Sequence, residues 1–107
     1  MPEVARLLIV DDDAGMRAGL EARFRRRGWL VDVAVNGTEA LGKFRGGLHT
    51  LVITDVRMPG RDGFELLREI QTSSPRTAVI LLTAYGCVPE AVEAMRHGAC
   101  DYLVKPV

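Results

Sequence analysis

The stretch TLVITDVRMPGRDGFELL, residues 50–67, predicts a buried strand, an irregular loop and a helix in direct succession. Residues 50–54 are apolar or β-branched and have the length of a strand. The loop DVRMPGRDG follows, and its proline and two glycines oppose regular structure. Phe64, Leu67 and Ile70 then recur at helical spacing. A strand followed closely by a helix is the repeating unit of parallel α/β sheets.

The same unit recurs along the whole chain. Further strands are predicted at residues 6–10 (RLLIV), 30–34 (LVDVA), 78–82 (AVILL) and 101–104 (DYLV). Further helices are predicted from Asp13 to Arg27, after Asn36-Gly37, and over PEAVEAMRHG at 89–98. Five strands that alternate with four helices predict a doubly wound α/β fold, in which helices cover both faces of a parallel sheet.

Composition narrows the class of protein further. The chain has 107 residues, 48% of them hydrophobic, which suits one globular domain. Its 14 basic residues balance its 14 acidic ones, so we expect no direct binding of nucleic acid or of an anionic membrane. A basic run is expected on the solvated face of the first helix: Arg23, Arg25, Arg26 and Arg27. Two cysteines, with no signal peptide and no membrane-length apolar run, predict a cytoplasmic location.

Functional groups follow the predicted strands at the edge where doubly wound sheets bind ligands. Asp11, Asp12 and Asp13 follow the first strand, and the others are Asp55, Thr83 and Lys105. Taken singly, each has an ordinary explanation, such as a helix cap or a surface cation. Taken together, three carboxylates at one edge repel one another unless a cation neutralises them. Because only oxygen ligands are available, the cation expected is Mg²⁺.

A carboxylate next to Mg²⁺ can act as a nucleophile toward phosphorus. Lys105 would then offset negative charge on the transferring phosphoryl group, and the Thr83 hydroxyl would donate a hydrogen bond to it. The sequence therefore predicts an aspartyl phosphate site.

Four blocks carry a family resemblance: LLIVDDD at 7–13, TDVRMPGRDGFELL at 54–67, LLTAYG at 81–86 and AMRHGACDYLVKP at 94–106. In their order and spacing the chain resembles the receiver domain of bacterial two-component response regulators, most closely those attached to transcription activators. The resemblance implies a flavodoxin-like strand order 2-1-3-4-5. It also implies a phosphoacceptor switch and not an enzyme with a separate substrate, phosphorylated by a sensor histidine kinase and controlling a DNA-binding output domain.

The resemblance also assigns roles to individual residues. It makes Asp55 the phosphoacceptor, and it makes Asp11, Asp12, Asp55 and the backbone carbonyl of Arg57 the Mg²⁺ ligands. Thr83 matches the switch hydroxyl, Tyr102 the switch aromatic residue, and Lys105 the lysine that faces the phosphoryl group.

Receivers usually continue into a fifth helix, so residues 1–107 are expected to be a receiver domain that stops before that helix and lacks an output domain. Because that fifth helix would be missing, we expect an uncovered apolar face near the first and fifth strands. Homodimerisation through this face is one possible result.

The remaining expectations concern single residues and alternative functions. Asp13 is expected to cap the first helix, Asp62 to be a turn residue, and His49 and His97 to be surface residues. One alternative is a dehalogenase-type enzyme, whose DxD spacing Asp11 and Asp13 satisfy. The others are a flavin or nucleotide binding module and a receiver-like domain that is never phosphorylated.

Overall fold

A computed structural model describes residues 5–58, 60, 62–84 and 86–105 of the chain. Pro59, in the loop after the third strand, and Pro106 lie outside these residues. The strands are β1 (Arg6–Val10), β2 (Leu30–Ala34), β3 (His49–Asp55), β4 (Ala78–Thr83) and β5 (Asp101–Val104). The helices are α1 (Ala14–Arg26), α2 (Gly37–Lys43), α3 (Gly63–Ser73) and α4 (Val88–Arg96). The described part of the chain contains no helix with the length and apolar character needed to cross a membrane.

All five strands are parallel, and they lie in the order β2-β1-β3-β4-β5. This confirms the predicted doubly wound sheet and its strand order. The chain moves outward from β1 to β2, then crosses back to β3 and continues the other way. The carboxyl ends of β1 and β3 therefore lie on either side of the point where strand order reverses, which is where such sheets bind ligands.

Alternate residues of the central strands face two separate apolar layers. On one face α2, α3 and α4 pack on the sheet, and the largest buried side chains there include Leu8, Leu66, Leu67, Ile70 and Leu81. On the other face α1 packs on the sheet, through Leu20 and the partly buried Phe24. Among the described residues, helix cover is thus heavier on one face than on the other.

The lightly covered face carries an apolar groove of about 250 Å³. The groove is lined by Leu20, Arg23, Phe24, Arg27, Ile53, Ile80, Leu82 and Leu103. It lies beside β5, as expected from the sequence, whereas β1 is fully buried on this face through Leu7 and Ile9. What covers the groove stays a prediction.

Side-chain caps begin three of the four helices. Asp13, Asn36 and Asp62 accept hydrogen bonds from the backbone N–H groups of Met16, Glu39 and Glu65, at 3.0, 2.8 and 2.9 Å. The expected cap at Asp13 is therefore present. The expectation that Asp62 is a turn residue was wrong, because Asp62 is the N-cap of α3. Gly98, with φ of +92°, follows α4 in the left-handed conformation that glycine favours.

The expectation that His49 is a surface residue was wrong. His49 is the first residue of β3 and only 2% exposed. Its Nδ1 accepts the backbone N–H of Arg45 at 2.9 Å, so Nε2 carries the proton that it shares with Asp32 at 2.8 Å. Arg6 also donates to Asp32, at 3.0 Å, and the Phe44 ring stacks on His49. Asp32 lies within the predicted strand LVDVA and is only partly exposed, so it needs such partners, and that was the available signal.

The pH dependence of stability should report the Asp32 contacts. Burial raises the pKa of Asp32, but hydrogen bonds from His49 and Arg6 outweigh it, so the pKa is lowered overall. A lowered folded-state pKa contributes stability above the unfolded value of about 3.9, and this stability is lost as pH falls through the folded value. We expect Asp32→Asn to cost about 1 kcal/mol at pH 7 and much less at pH 3.

Denaturant unfolding, followed by the fluorescence of the single tryptophan Trp29, measures this difference. Glu21→Gln is the control, because Glu21 pairs with Arg25 on α1 and, among the described residues, has no hydrogen bond or ion pair with Asp32, His49 or Arg6. It should change stability by less than about 0.5 kcal/mol. An Asp32→Asn deficit of equal size at both pH values would contradict the assignment.

Candidate functional site

Four functional side chains meet at the carboxyl edge of the sheet, each at the end of a different strand. Asp11 follows β1, Asp55 ends β3, Thr83 ends β4 and Lys105 follows β5. Asp11, Asp55 and Thr83 are buried, at 1%, 7% and 0% exposure. The parallel sheet has thus brought together residues that are up to 94 positions apart in the sequence.

The acids at this edge form a cluster with the composition of a metal site. Asp11, Asp12 and Asp55 each offer a carboxylate oxygen, and these oxygens lie within 4.8 Å of one another. Opposite ligands of an octahedral Mg²⁺ are separated by about 4.2 Å, twice the usual bond length of about 2.1 Å. The spacing and the purely oxygen donor set therefore fit Mg²⁺ with water completing the shell. Asp13 has turned away to cap α1, as its exposure and its bond to Met16 show.

Lys105 neutralises part of the acid cluster. Its Nζ lies 2.9 Å from Oδ2 of Asp11 and 3.4 Å from Oδ2 of Asp55. The lysine is held in place by its backbone, whose N–H donates to the Thr83 carbonyl at 2.8 Å and continues the pairing of β5 with β4. Burial lowers the pKa of Lys105, but contact with Asp11 and Asp55 outweighs that effect and raises it overall. The lysine is a permanent cation at this edge.

The charged form of the Asp55 carboxyl remains electrostatically unfavourable in spite of Lys105. Burial raises its pKa, Lys105 lowers it, and the charge of Asp11 raises it again, with a net increase. The backbone N–H of Arg57 also donates to the carboxylate. One lysine carries too little positive charge to neutralise two buried acids. A bound cation would therefore stabilise the charged form of Asp55 further.

Asp11 is fixed by contacts that sequence reasoning missed in part. Its Oδ1 accepts the backbone N–H of Asp13 at 2.9 Å, which leaves Oδ2 for Lys105. The Arg17 guanidinium donates to the Asp11 carbonyl at 2.7 Å from the second turn of α1. Arg17 had no sequence signal, because an arginine in the first half of a helix is expected in solvent.

The backbone of Asp55 is held by direct contact with the start of α3. A Cβ atom built on Gly63 would lie 2.4 Å from the Asp55 carbonyl oxygen and 2.9 Å from Cα of Val56. The Gly63 N–H donates to the Val56 carbonyl at 2.9 Å. Only glycine permits this close approach, so the helix and the end of β3 form one rigid support for the acid.

A second polar group lies beside the cluster and involves Glu90, which the sequence analysis did not single out. The Tyr102 hydroxyl of β5 donates to Oε1 of Glu90 on α4. The Arg57 guanidinium lies 3.4 Å from Oε2 of the same carboxylate. The role of the Arg57 backbone carbonyl as a metal ligand stays a prediction.

Comparison with known families agrees with this geometry. The family described as the response regulator receiver domain matches residues 7–107. The chain belongs to the response regulator receiver domain family. The strand order, the strand-end residues and the sequence match therefore all lead to the same class of signalling domain.

This receiver domain is similar to part of longer curated regulators and spans about a quarter of their length. It is 45% identical over 105 residues to the transcriptional regulatory protein ZraR of Klebsiella oxytoca, covering 98% of this chain and 24% of that protein. It is 48% identical over 103 residues to the response regulator protein FleR of Pseudomonas aeruginosa, covering 95% of this chain and 22% of that protein. These relatives are response regulators or transcriptional regulators by name.

Solved structures share the fold closely. A response regulator receiver domain protein from Clostridium thermocellum superimposes with a TM-score of 0.91 at 37% identity, covering 97% of this receiver domain and 84% of that chain. The chemotaxis protein CheY4 of Vibrio cholerae gives the same TM-score at 30% identity, with 98% and 89% coverage.

Substitution of Gly63 should test the support under Asp55. Gly63→Ala forces a carbon atom against the Asp55 backbone, and we expect a loss of about 2 kcal/mol or more in the free energy of unfolding. Gly42→Ala on α2 is the matched control, since a Cβ there meets nothing within 4 Å. Its higher helix propensity should raise stability by up to about 1 kcal/mol. Chemical denaturation of both variants measures the contrast, and equal stabilities would show that the close contact has no effect.

Removing the charge of Asp55 should stabilise the metal-free domain. An acid with a raised folded-state pKa makes the native state less stable as pH rises above the unfolded value of about 3.9. With EDTA at pH 7, Asp55→Asn should therefore raise stability on the order of 1 kcal/mol, or about 4 °C in melting temperature. The gain should shrink as pH falls toward about 4, because the raised pKa makes the folded wild-type carboxyl bind a proton more readily than the unfolded one. A less stable Asp55→Asn variant at pH 7 would disprove the electrostatic account.

Proposed function

We propose that Asp55 accepts a phosphoryl group from a phosphohistidine of a sensor histidine kinase. The observation that carries this proposal is the placement of the Asp55 carboxylate, which is buried at the strand crossover beside Asp11 and Asp12 and lies 3.4 Å from Lys105. Partners that serve only the fold would neutralise such a carboxylate, whereas burial and the charge of Asp11 raise the pKa of Asp55 in spite of Lys105, and the three acids could hold a cation.

The transfer is a displacement at phosphorus. An oxygen of Asp55 forms the new P–O bond while the P–N bond of the phosphohistidine breaks, and the departing imidazole takes a proton from solvent. Lys105, 3.4 Å from the attacking carboxylate, offsets charge that moves onto the acid. The buried Thr83 hydroxyl is the proposed donor to a phosphoryl oxygen.

Magnesium would be held by Asp11, Asp12, Asp55 and the backbone carbonyl of Arg57. When bound, it would neutralise charge on the phosphoryl oxygens and lower repulsion between the phosphoryl group and the acids. Asp11 would contribute a carboxylate that is already oriented by the Asp13 N–H.

The proposed output is conformational. Phosphorylation adds nearly two negative charges at a site where Lys105 is the nearest cation described. We expect Thr83 and Lys105 to move toward the phosphoryl group and Tyr102 to turn inward behind Thr83. The surface of α4 and β5 then changes, and a DNA-binding output domain in a longer protein would read that change. The relatives named as transcriptional regulators support this reading, and we propose a cytoplasmic location.

A receiver-like domain that is never phosphorylated is the second candidate. Loss of an acid or of the lysine would favour it, yet Asp11, Asp12, Asp55 and Lys105 are all present and close together. The phosphoacceptor function is therefore the better supported proposal.

Mass spectrometry tests the proposal directly. With Mg²⁺ and a small phosphodonor such as acetyl phosphate, the wild-type domain should gain about 80 Da, the mass of one phosphoryl group, and EDTA should prevent the gain. Asp55→Asn should not be labelled. Asp101→Asn, an exposed acid on β5 outside the cluster, is the matched control and should be labelled normally. Labelling of Asp55→Asn at the wild-type level would place the phosphoacceptor elsewhere.

A further inference from the structure

Glu90 lies where three separate parts of the receiver domain meet. It belongs to the first turn of α4, and its side chain is 16% exposed. One carboxylate oxygen accepts the hydroxyl of Tyr102 on β5, and the other lies 3.4 Å from the guanidinium of Arg57 in the loop after β3. A single side chain therefore connects the helix, the edge strand and the loop that follows Asp55.

The rest of α4 is held loosely. Ala94 is its one buried residue among those described, whereas Val88, Val92 and Met95 are 76%, 50% and 51% exposed. The N-cap residue, Cys87, makes no side-chain hydrogen bond to the helix. The two contacts of Glu90 therefore connect the N-terminal half of α4, which buries few side chains, to β5 and to the loop after β3.

Both partners of Glu90 are themselves linked to the phosphoacceptor site. Arg57 comes two residues after Asp55, and its backbone N–H donates to the Asp55 carboxylate. Tyr102 lies opposite Leu81 in the sheet register, and β5 ends next to Lys105. Burial and the Glu90 contact raise the pKa of Tyr102 to about 12, so its hydroxyl keeps its proton at any working pH and remains a donor to Glu90.

We propose that Glu90 is a positioning residue that holds Tyr102 and α4 in the unphosphorylated arrangement. This inference rests on the proposed function. A phosphoryl group on Asp55 places a second anion near Arg57. That anion would compete with Glu90 for the guanidinium and weaken the contact between Arg57 and Glu90. Inward movement of Tyr102 breaks its bond to Glu90 as well. Both contacts thus belong to the resting arrangement, and losing them shifts the population toward the activated one.

The test uses beryllofluoride with Mg²⁺ as a phosphoryl mimic, titrated into the domain while backbone amide signals are followed by NMR. Glu90→Ala should bind beryllofluoride about threefold to tenfold more tightly than wild type, the effect of one net hydrogen bond on the resting state. Glu93→Ala is the matched control. Glu93 lies on the same helix but pairs with Arg96 and His97 on its exposed side, so the affinity should stay at the wild-type value.

Two further variants separate positioning from a general loss of structure. Glu90→Gln keeps an acceptor for the Tyr102 hydroxyl but removes the charge that attracts Arg57, so its affinity should lie between those of wild type and Glu90→Ala. In the Glu90→Ala background, Tyr102→Phe should add little further gain, because the contact between the hydroxyl and Glu90 has already been lost. A merely structural glutamate would lower the melting temperature without tightening beryllofluoride binding.

The outcomes distinguish the two proposals. Glu90→Ala with the affinity of Glu93→Ala, or with a weaker one, would overturn the role of Glu90 and leave the phosphoacceptor function in place. Absence of beryllofluoride binding in every variant, the wild type included, would overturn the proposed function and this inference with it.

Discussion

Two buried carboxylates, Asp11 and Asp55, share one lysine at the carboxyl edge of the sheet, and the chemistry of this receiver domain follows from that imbalance. Lys105 approaches Asp11 more closely than Asp55, at 2.9 Å against 3.4 Å. The pKa of Asp55 therefore stays raised by burial and by its acidic neighbour. A site with uncompensated negative charge favours a divalent cation, and a cation beside a carboxylate prepares that carboxylate for phosphoryl transfer.

The sheet topology allows the fold to tolerate the excess of negative charge at Asp11 and Asp55. Because strand order reverses between β1 and β3, the carboxyl ends of these two strands lie on either side of the place where such sheets bind ligands, and the strands themselves are buried. The close contact of Gly63 with the Asp55 backbone then prevents the acids from moving apart to relieve their repulsion. Stability is given up at the site and recovered in the two apolar layers, a common arrangement at functional sites.

The sheet contrasts with α4, which has few buried side chains and depends on polar contacts at its N-terminal end. A helix held in this way can change position at low cost, since no large apolar area has to be exposed. Its contacts, through Glu90, reach both the loop after Asp55 and the edge strand. In the proposed function, the rigid part of the domain would carry the chemistry, and the weakly packed part would carry the response.

The fold and the members of the site were largely predictable from the sequence, because both depend on local patterns. Apolar runs and helical spacing located the strands within about one residue, and strand-end residues in a parallel sheet must share one edge. The burial of His49, the capping role of Asp62 and the bridging position of Glu90 were not predictable, since each depends on which distant side chain lies opposite. By itself, the sequence determined the doubly wound sheet and the identity of the acids and the lysine. Only the tertiary structure decided how closely Lys105 approaches Asp11 and Asp55, and which residues hold α4. Distances between side chains far apart in the chain are set by packing.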